Sequence, residues 1–125
     1  MPTILITDDD VQIRNIVEMT LGFGAYRILQ AEDGAGAVEI ARREKPDLVI
    51  MDIMMPGDYD GLEATRILKS DPDTRNCTVI LLTAVCGEQD MREGYAAGAD
   101  GYFTKPFSPL ALIRKVEEVL EQRAG

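Results

Sequence analysis

Leu48-Val49-Ile50-Met51-Asp52 sets four apolar side chains in an unbroken row and closes it with a carboxylate. A strand with one face in water alternates apolar and polar residues, whereas a strand covered on both faces does not. Buried helix segments can read the same way, but this row is short. It predicts a strand in the middle of a sheet. Ile4-Leu5-Ile6 and Val79–Leu82 repeat the pattern, and the less uniform runs Tyr26–Ala31 and Tyr102-Phe103 complete a set of five strands.

Helical patterns fill the intervals. Ile13, Ile16, Val17, Thr20 and Leu21 follow the i, i+3, i+4, i+7 spacing of one helix face, with Asp9 or Asp10 placed to cap it. Leu112, Ile113, Val116, Val119 and Leu120 form a similar stripe, with Ser108 as cap, Pro109 in the first turn and an end near Glu121. Weaker stripes run through Ala37–Ala41, Leu62–Leu68 and Met91–Gly98. Gly22-Phe23-Gly24, Asp33-Gly34 and Lys69–Asn76 read as turns or loops. Strands alternating with helices predict a single α/β domain over residues 1–125 with a parallel sheet, because short connections and right-handed crossovers leave few other arrangements.

Composition narrows the chemistry. The 125 residues carry 13 basic and 22 acidic side chains, a formal net charge of −9 that repels nucleic acid and anionic membranes. There is no histidine, which excludes Ser-His-Asp and Cys-His catalysis and His-ligated metals. Cys77 and Cys86 lie too far apart for a Cys-x-x-Cys site and read as ordinary reduced thiols of a cytoplasmic protein. Any metal must therefore take oxygen ligands, which favours a hard divalent cation. The first apolar run ends in three aspartates, unlike a signal peptide, and no stretch is long enough to span a membrane.

In an open parallel sheet, ligands bind beyond the carboxyl ends of the strands. The residues that follow the apolar runs are Thr7-Asp8-Asp9-Asp10, Asp52, Thr83-Ala84 and Thr104-Lys105-Pro106. Each fragment has a plain account on its own: the aspartate run as helix capping, Thr83 as a strand end, Lys105 as a solvated cation. Asp52 is harder to dismiss, since a carboxylate directly after a buried run is costly without a partner. Together they bring carboxylates, a hydroxyl and an ammonium to one sheet edge, where clustered carboxylates must protonate, pair or bind a metal.

Ile4-Leu5-Ile6-Thr7-Asp8-Asp9-Asp10, Asp52-Ile53-Met54-Met55-Pro56, Leu82-Thr83-Ala84 and Lys105-Pro106-Phe107 resemble, in order and spacing, the landmarks of response-regulator receiver domains of two-component signalling. The resemblance spans essentially the whole chain. It implies a doubly wound, flavodoxin-like α/β fold, with sheet order 2-1-3-4-5 and helices on both faces, and no output domain within these residues. It also implies that Asp52 is the phosphoacceptor. Asp9 and Asp52 would ligate Mg2+ (with Mn2+ as an alternative) through their carboxylates, Met54 through its backbone carbonyl and Asp8 through a water. Lys105, the Thr83 hydroxyl and the N–H groups of Ile53 and Ala84 would meet the phosphoryl oxygens. The bond before Pro106 resembles the family's cis-proline, and Tyr102 matches the aromatic that moves inward as Thr83 is drawn to the phosphate. The implied partners are a sensor histidine kinase or histidine phosphotransfer protein as donor and an effector protein or domain as target, with a phosphorylation-dependent homodimer as one form of output. The altered face would be roughly Gln89–Ala124, with Leu110 and Ala111 either on it or in the core. The implied role is a signalling switch that assists its own phosphotransfer and dephosphorylation, not a conventional enzyme.

One stretch departs from the family pattern. Asp52 to Gly61 runs through Met55-Pro56-Gly57-Asp58-Tyr59-Asp60, one residue longer than usual, beside the expected metal site. Met54 and Val85, which flank the site, vary in the family. Among rival readings, a phosphohydrolase of the haloacid-dehalogenase type would need a second aspartate where Met54 stands. A phosphorylation-independent adaptor of the same fold would need none of Asp8, Asp9, Asp52, Thr83 and Lys105. No glycine-rich phosphate loop follows any strand, and Asp58-Tyr59-Asp60-Gly61 lacks the other ligands of an EF-hand.

Overall fold

The central strand is buried along its whole length because its side chains point alternately into two separate cores. In the computed structural model, which describes residues 1–85 and 87–124, β3 (Leu48–Met51) sends Leu48 and Ile50 to one face and Val49 and Met51 to the other. Its neighbours β1 (Thr3–Thr7) and β4 (Thr78–Thr83) do the same: Ile4, Ile6, Ile80 and Leu82 join the first face, Leu5, Val79 and Leu81 the second. This period-2 division between two apolar layers is why the three runs read as unbroken rows. β2 (Arg27–Ala31) and β5 (Gly101–Thr104) form the edges of an all-parallel sheet in the order β2-β1-β3-β4-β5.

Helices α1 (Val11–Leu21) and α5 (Pro109–Ala124) cover the first face through Val17, Leu21, Leu112, Val116 and Val119. Helices α2 (Gly34–Glu44) and α3 (Gly61–Ser70) cover the second through Ala37, Val38, Ala41, Ala64 and Leu68. Helix α4 (Glu88–Ala96) lies on that face as well but buries only Gly94, where a Cβ would meet Leu81 and the Tyr102 ring. No helix among the described residues is long and apolar enough to cross a membrane.

The expected elements are all present, with four local corrections. Asp33-Gly34 is not a turn: Asp33 accepts the Gly36 N–H as N-cap, and Gly34 is the first residue of α2. Lys69 and Ser70 belong to the last turn of α3, and Lys69 donates from there to the Cys77 carbonyl. Helix α5 continues past Glu121 to Ala124. Ile16 is exposed, so the buried stripe of α1 is narrower than its apolar residues suggest. Of the two candidate caps for α1, Asp10 is the one used, accepting from Gln12 N–H. Cys77 is a buried free thiol, and burial pushes its pKa up; Cys86 lies outside the described residues.

Candidate phosphoacceptor site

Strand register brings the aspartates together. Thr7 pairs with Met51 across β1 and β3, so Asp8 and Asp52 both stand one residue past a matched pair. The Asp52 N–H then donates to the Thr7 carbonyl at 3.0 Å. Adjacent strands lie about 4.8 Å apart, close enough for two carboxylates at their ends to share a ligand. Carboxylate oxygens of Asp8, Asp9 and Asp52 all lie within 4.8 Å of one another. Asp8 and Asp52 are buried, and Asp9 is exposed.

Lys105 reaches the same point from beyond β5, across the end of β4. Its backbone N–H donates to the Thr83 carbonyl, and its ammonium donates to Asp8 Oδ2 at 2.6 Å and to Asp52 Oδ2 at 3.1 Å. Two strand spacings separate β5 from β3, a span that suits the long stem of lysine. Burial alone would push the Lys105 pKa down, but the bonds from Asp8 and Asp52 outweigh it and hold the pKa above the usual 10.5. The Lys105–Pro106 peptide is cis.

Three carboxylates against one contacting ammonium leave a formal excess of two negative charges, which a divalent cation would offset. All the side-chain donors are hard carboxylate oxygens, as Mg2+ prefers. Asp9, Ile53, Met54 and Asp60 line a shallow cavity beside the cluster. The Met54 side chain is exposed and its N–H donates to Asp52 Oδ1 at 3.4 Å. Ile53 packs its side chain into the core, while Ala84 is exposed at the mouth.

The longer loop is anchored at its return. The Gly61 N–H donates to the Ile53 carbonyl, and a Cβ on Gly61 would stand 1.9 Å from the Asp52 carbonyl oxygen, so only glycine fits. Asp60 caps α3 by accepting the Glu63 N–H and is not part of the aspartate cluster.

Thr83 and Tyr102 are linked through a third residue. The Thr83 hydroxyl, fully buried, accepts the Val85 N–H at 3.2 Å, and the half-buried Tyr102 hydroxyl donates to the Val85 carbonyl. Both bonds hold the start of the segment between β4 and α4.

A family profile described as the response regulator receiver domain matches residues 4–117. This chain belongs to that family. The receiver domain is 40% identical over 120 residues to the phosphate regulon transcriptional regulatory protein PhoB of Pseudomonas aeruginosa, covering 96% of this chain and 52% of that protein. Among solved structures, it is similar to the chemotaxis protein CheY4 of Vibrio cholerae, with TM-score 0.88, 30% identity, and 95% and 98% of the two chains covered. It is likewise similar to the BeF3-activated DrrB receiver domain, with TM-score 0.87, 34% identity, and 97% and 98% coverage. The chain spans about half the length of the curated relatives it matches first, 52% and 50% of two of them. Receiver domains of response regulators are phosphorylated by histidine kinases, bind Mg2+ at an acidic site and are linked to effector domains.

Sequence reasoning located Asp8, Asp9, Asp52, Thr83 and Lys105 at this edge of the receiver domain, and the structure brings Asp8, Asp9, Asp52 and Lys105 into one cluster. It overlooked Arg14, which donates from α1 to the Asp8 carbonyl at 2.5 Å. The only signal was a basic residue soon after the aspartate run. Leu110 and Ala111 prove exposed on the first turn of α5, not core.

Proposed function

We propose that this receiver domain takes a phosphoryl group onto Asp52 from a phosphohistidine, and that the modified site changes the face formed by α4, β5 and α5. The observation that carries this reading is the Asp52 carboxylate, buried at the end of β3, bonded to Lys105 and clustered with Asp8 and Asp9. An Asp52 oxygen forms the new bond to phosphorus as the bond from phosphorus to the donor imidazole breaks, leaving an acyl phosphate. Lys105 balances charge on the transferring oxygens, joined by the Thr83 hydroxyl and the N–H groups of Ile53 and Ala84. Asp9, Asp52 and the Met54 carbonyl would hold Mg2+ directly and Asp8 through a water; the ion supplies further neutralisation of phosphoryl charge. Mn2+ has the same ligand preferences and would substitute.

Adding nearly two negative charges beside Thr83 draws its hydroxyl away from the Val85 N–H and releases one of the two bonds on that segment. Tyr102, bonded to the same residue, follows. The donor is a sensor histidine kinase or a histidine phosphotransfer protein in the cytoplasm, and the target is an effector protein or domain, with a homodimer as one route to output. The net charge of −9 supports contact with protein rather than nucleic acid. The acyl phosphate hydrolyses without a partner enzyme, and residues 54 and 85 beside it set its lifetime.

The test is intact mass after incubation with Mg2+ and acetyl phosphate. A single Mg2+-dependent phosphoryl adduct on the wild type, absent from Asp52→Asn, is the expected result. No adduct on a wild type that binds Mg2+ would overturn the phosphoacceptor assignment.

A further inference from the structure

Arg14 directs its charged fork at neutral acceptors. Its Nη1 donates to the Asp8 carbonyl at 2.5 Å, and its Nε donates to Gln30 Oε1 at 2.9 Å. Gln30, next to the end of β2, has its own orientation set from the other side: its Nε2 donates to Glu18 Oε1 at 2.9 Å. The amide satisfies a cation at its oxygen and a carboxylate at its nitrogen in only one orientation. A planar guanidinium aimed at two fixed acceptors is itself fixed, in a way that an ammonium is not.

Asp8 is consequently held at four atoms. Its N–H donates to the Ala31 carbonyl at 3.2 Å and its carbonyl accepts from Arg14. Its Oδ1 accepts the Asp10 N–H at 2.9 Å and its Oδ2 accepts from Lys105 at 2.6 Å. The carbonyl matters most for the next residue. It lies in the planar peptide that joins Asp8 to Asp9, so turning that plane swings the Asp9 α-carbon and its exposed carboxylate.

We propose that Arg14, oriented by Gln30, is a positioning residue for the metal half of the site. It locks the Asp8–Asp9 peptide so that the Asp9 carboxylate stays in the cluster with Asp8 and Asp52. This rests on reading that cluster as the Mg2+ site. The guanidinium also places a positive charge near the cation, and the two effects have opposite signs. If positioning dominates, removing Arg14 weakens Mg2+ binding; if repulsion dominates, removal strengthens it.

The experiment is calorimetric titration of the intact protein with Mg2+, beside a thermal melt of each metal-free variant. Arg14→Ala is expected to weaken Mg2+ binding roughly tenfold, in line with residues that orient metal ligands from behind. Arg14→Lys, which keeps the charge and loses the two-point hold, should fall most of the way to the same value. Gln30→Ala should weaken binding about threefold, and the double variant should be no weaker than Arg14→Ala, because Gln30 acts through Arg14. Mg2+ affinity within twofold of wild type or tighter in Arg14→Ala, even with a lowered melting temperature, would overturn the proposal and leave Arg14 as a fastening between α1 and β2. If Arg14→Ala does not fold, Arg14→Lys and Gln30→Ala decide the question by the same criterion. A wild type that does not bind Mg2+ would overturn the metal-site reading and this inference together.

Discussion

Strand β3 and helix α4 are opposite extremes of one fold. Every residue of β3 is buried between two apolar layers, whereas Gly94 is the sole buried residue of α4. β3 leads directly into Asp52, and α4 begins just after the segment that Thr83 and Tyr102 hold through Val85. The proposed acceptor is thus mounted where local opening is most costly and the proposed responding face where it is least costly. A switch needs both: reacting atoms that stay in place, and a surface that few contacts hold in either state.

The largest expected difference is in stability. Ile50→Ala should cost about 2–5 kcal/mol in urea unfolding, while Met91→Ala on α4 should stay within about 0.5 kcal/mol. Equal losses at the two positions would break the contrast. Gly61→Ala should cost about 1–3 kcal/mol, because the new methyl meets the Asp52 backbone, and it should also remove the Mg2+-dependent phosphoryl adduct seen by intact mass.

Gly94→Ala sharpens the contrast from the other side. A Cβ there would stand 2.7 Å from Leu81 Cδ1 and 3.1 Å from the Tyr102 ring. The helix gains about 1 kcal/mol from replacing glycine, so net stability should change little while near-ultraviolet circular dichroism reports a displaced tyrosine. An unchanged spectrum would mean that α4 slides outward without moving Tyr102.

The smallest expected effect concerns pH. The Lys105 pKa is raised in the folded protein, so the stability that its charge contributes is fully present below the ordinary lysine value of 10.5 and is lost as pH rises through the higher folded value. Urea midpoints should therefore fall more steeply above that pH for wild type than for Lys105→Met. Parallel curves would show that the lysine serves the site without steadying the fold.

The central strands were legible because burial on both faces leaves a mark in composition, as in Leu48–Met51. Asp8, Asp52 and Thr83 were legible because they stand at the ends of such strands, whereas Lys105 follows the less uniform edge strand β5. Features set by three-dimensional contact left no comparable mark. Ile16 belongs to the apolar stripe of α1 by spacing, yet it is exposed in the fold. Gly34 resembles a turn residue because Asp-Gly commonly makes turns, but here the aspartate caps a helix. Arg14 and Gln30 meet only through tertiary contact between α1 and β2, 16 positions apart, a relation that no local pattern encodes.

Lys105 stands 97 positions after the Asp8 carboxylate that it neutralises, just beyond the edge strand β5. A growing chain holds all three aspartates long before it holds their counter-charge. Until β5 docks against β4, that acidic cluster is a self-repelling corner without its lysine. The cluster therefore gains its counter-charge only when β5 has docked, and a chain cut before β5 would leave the three carboxylates without it.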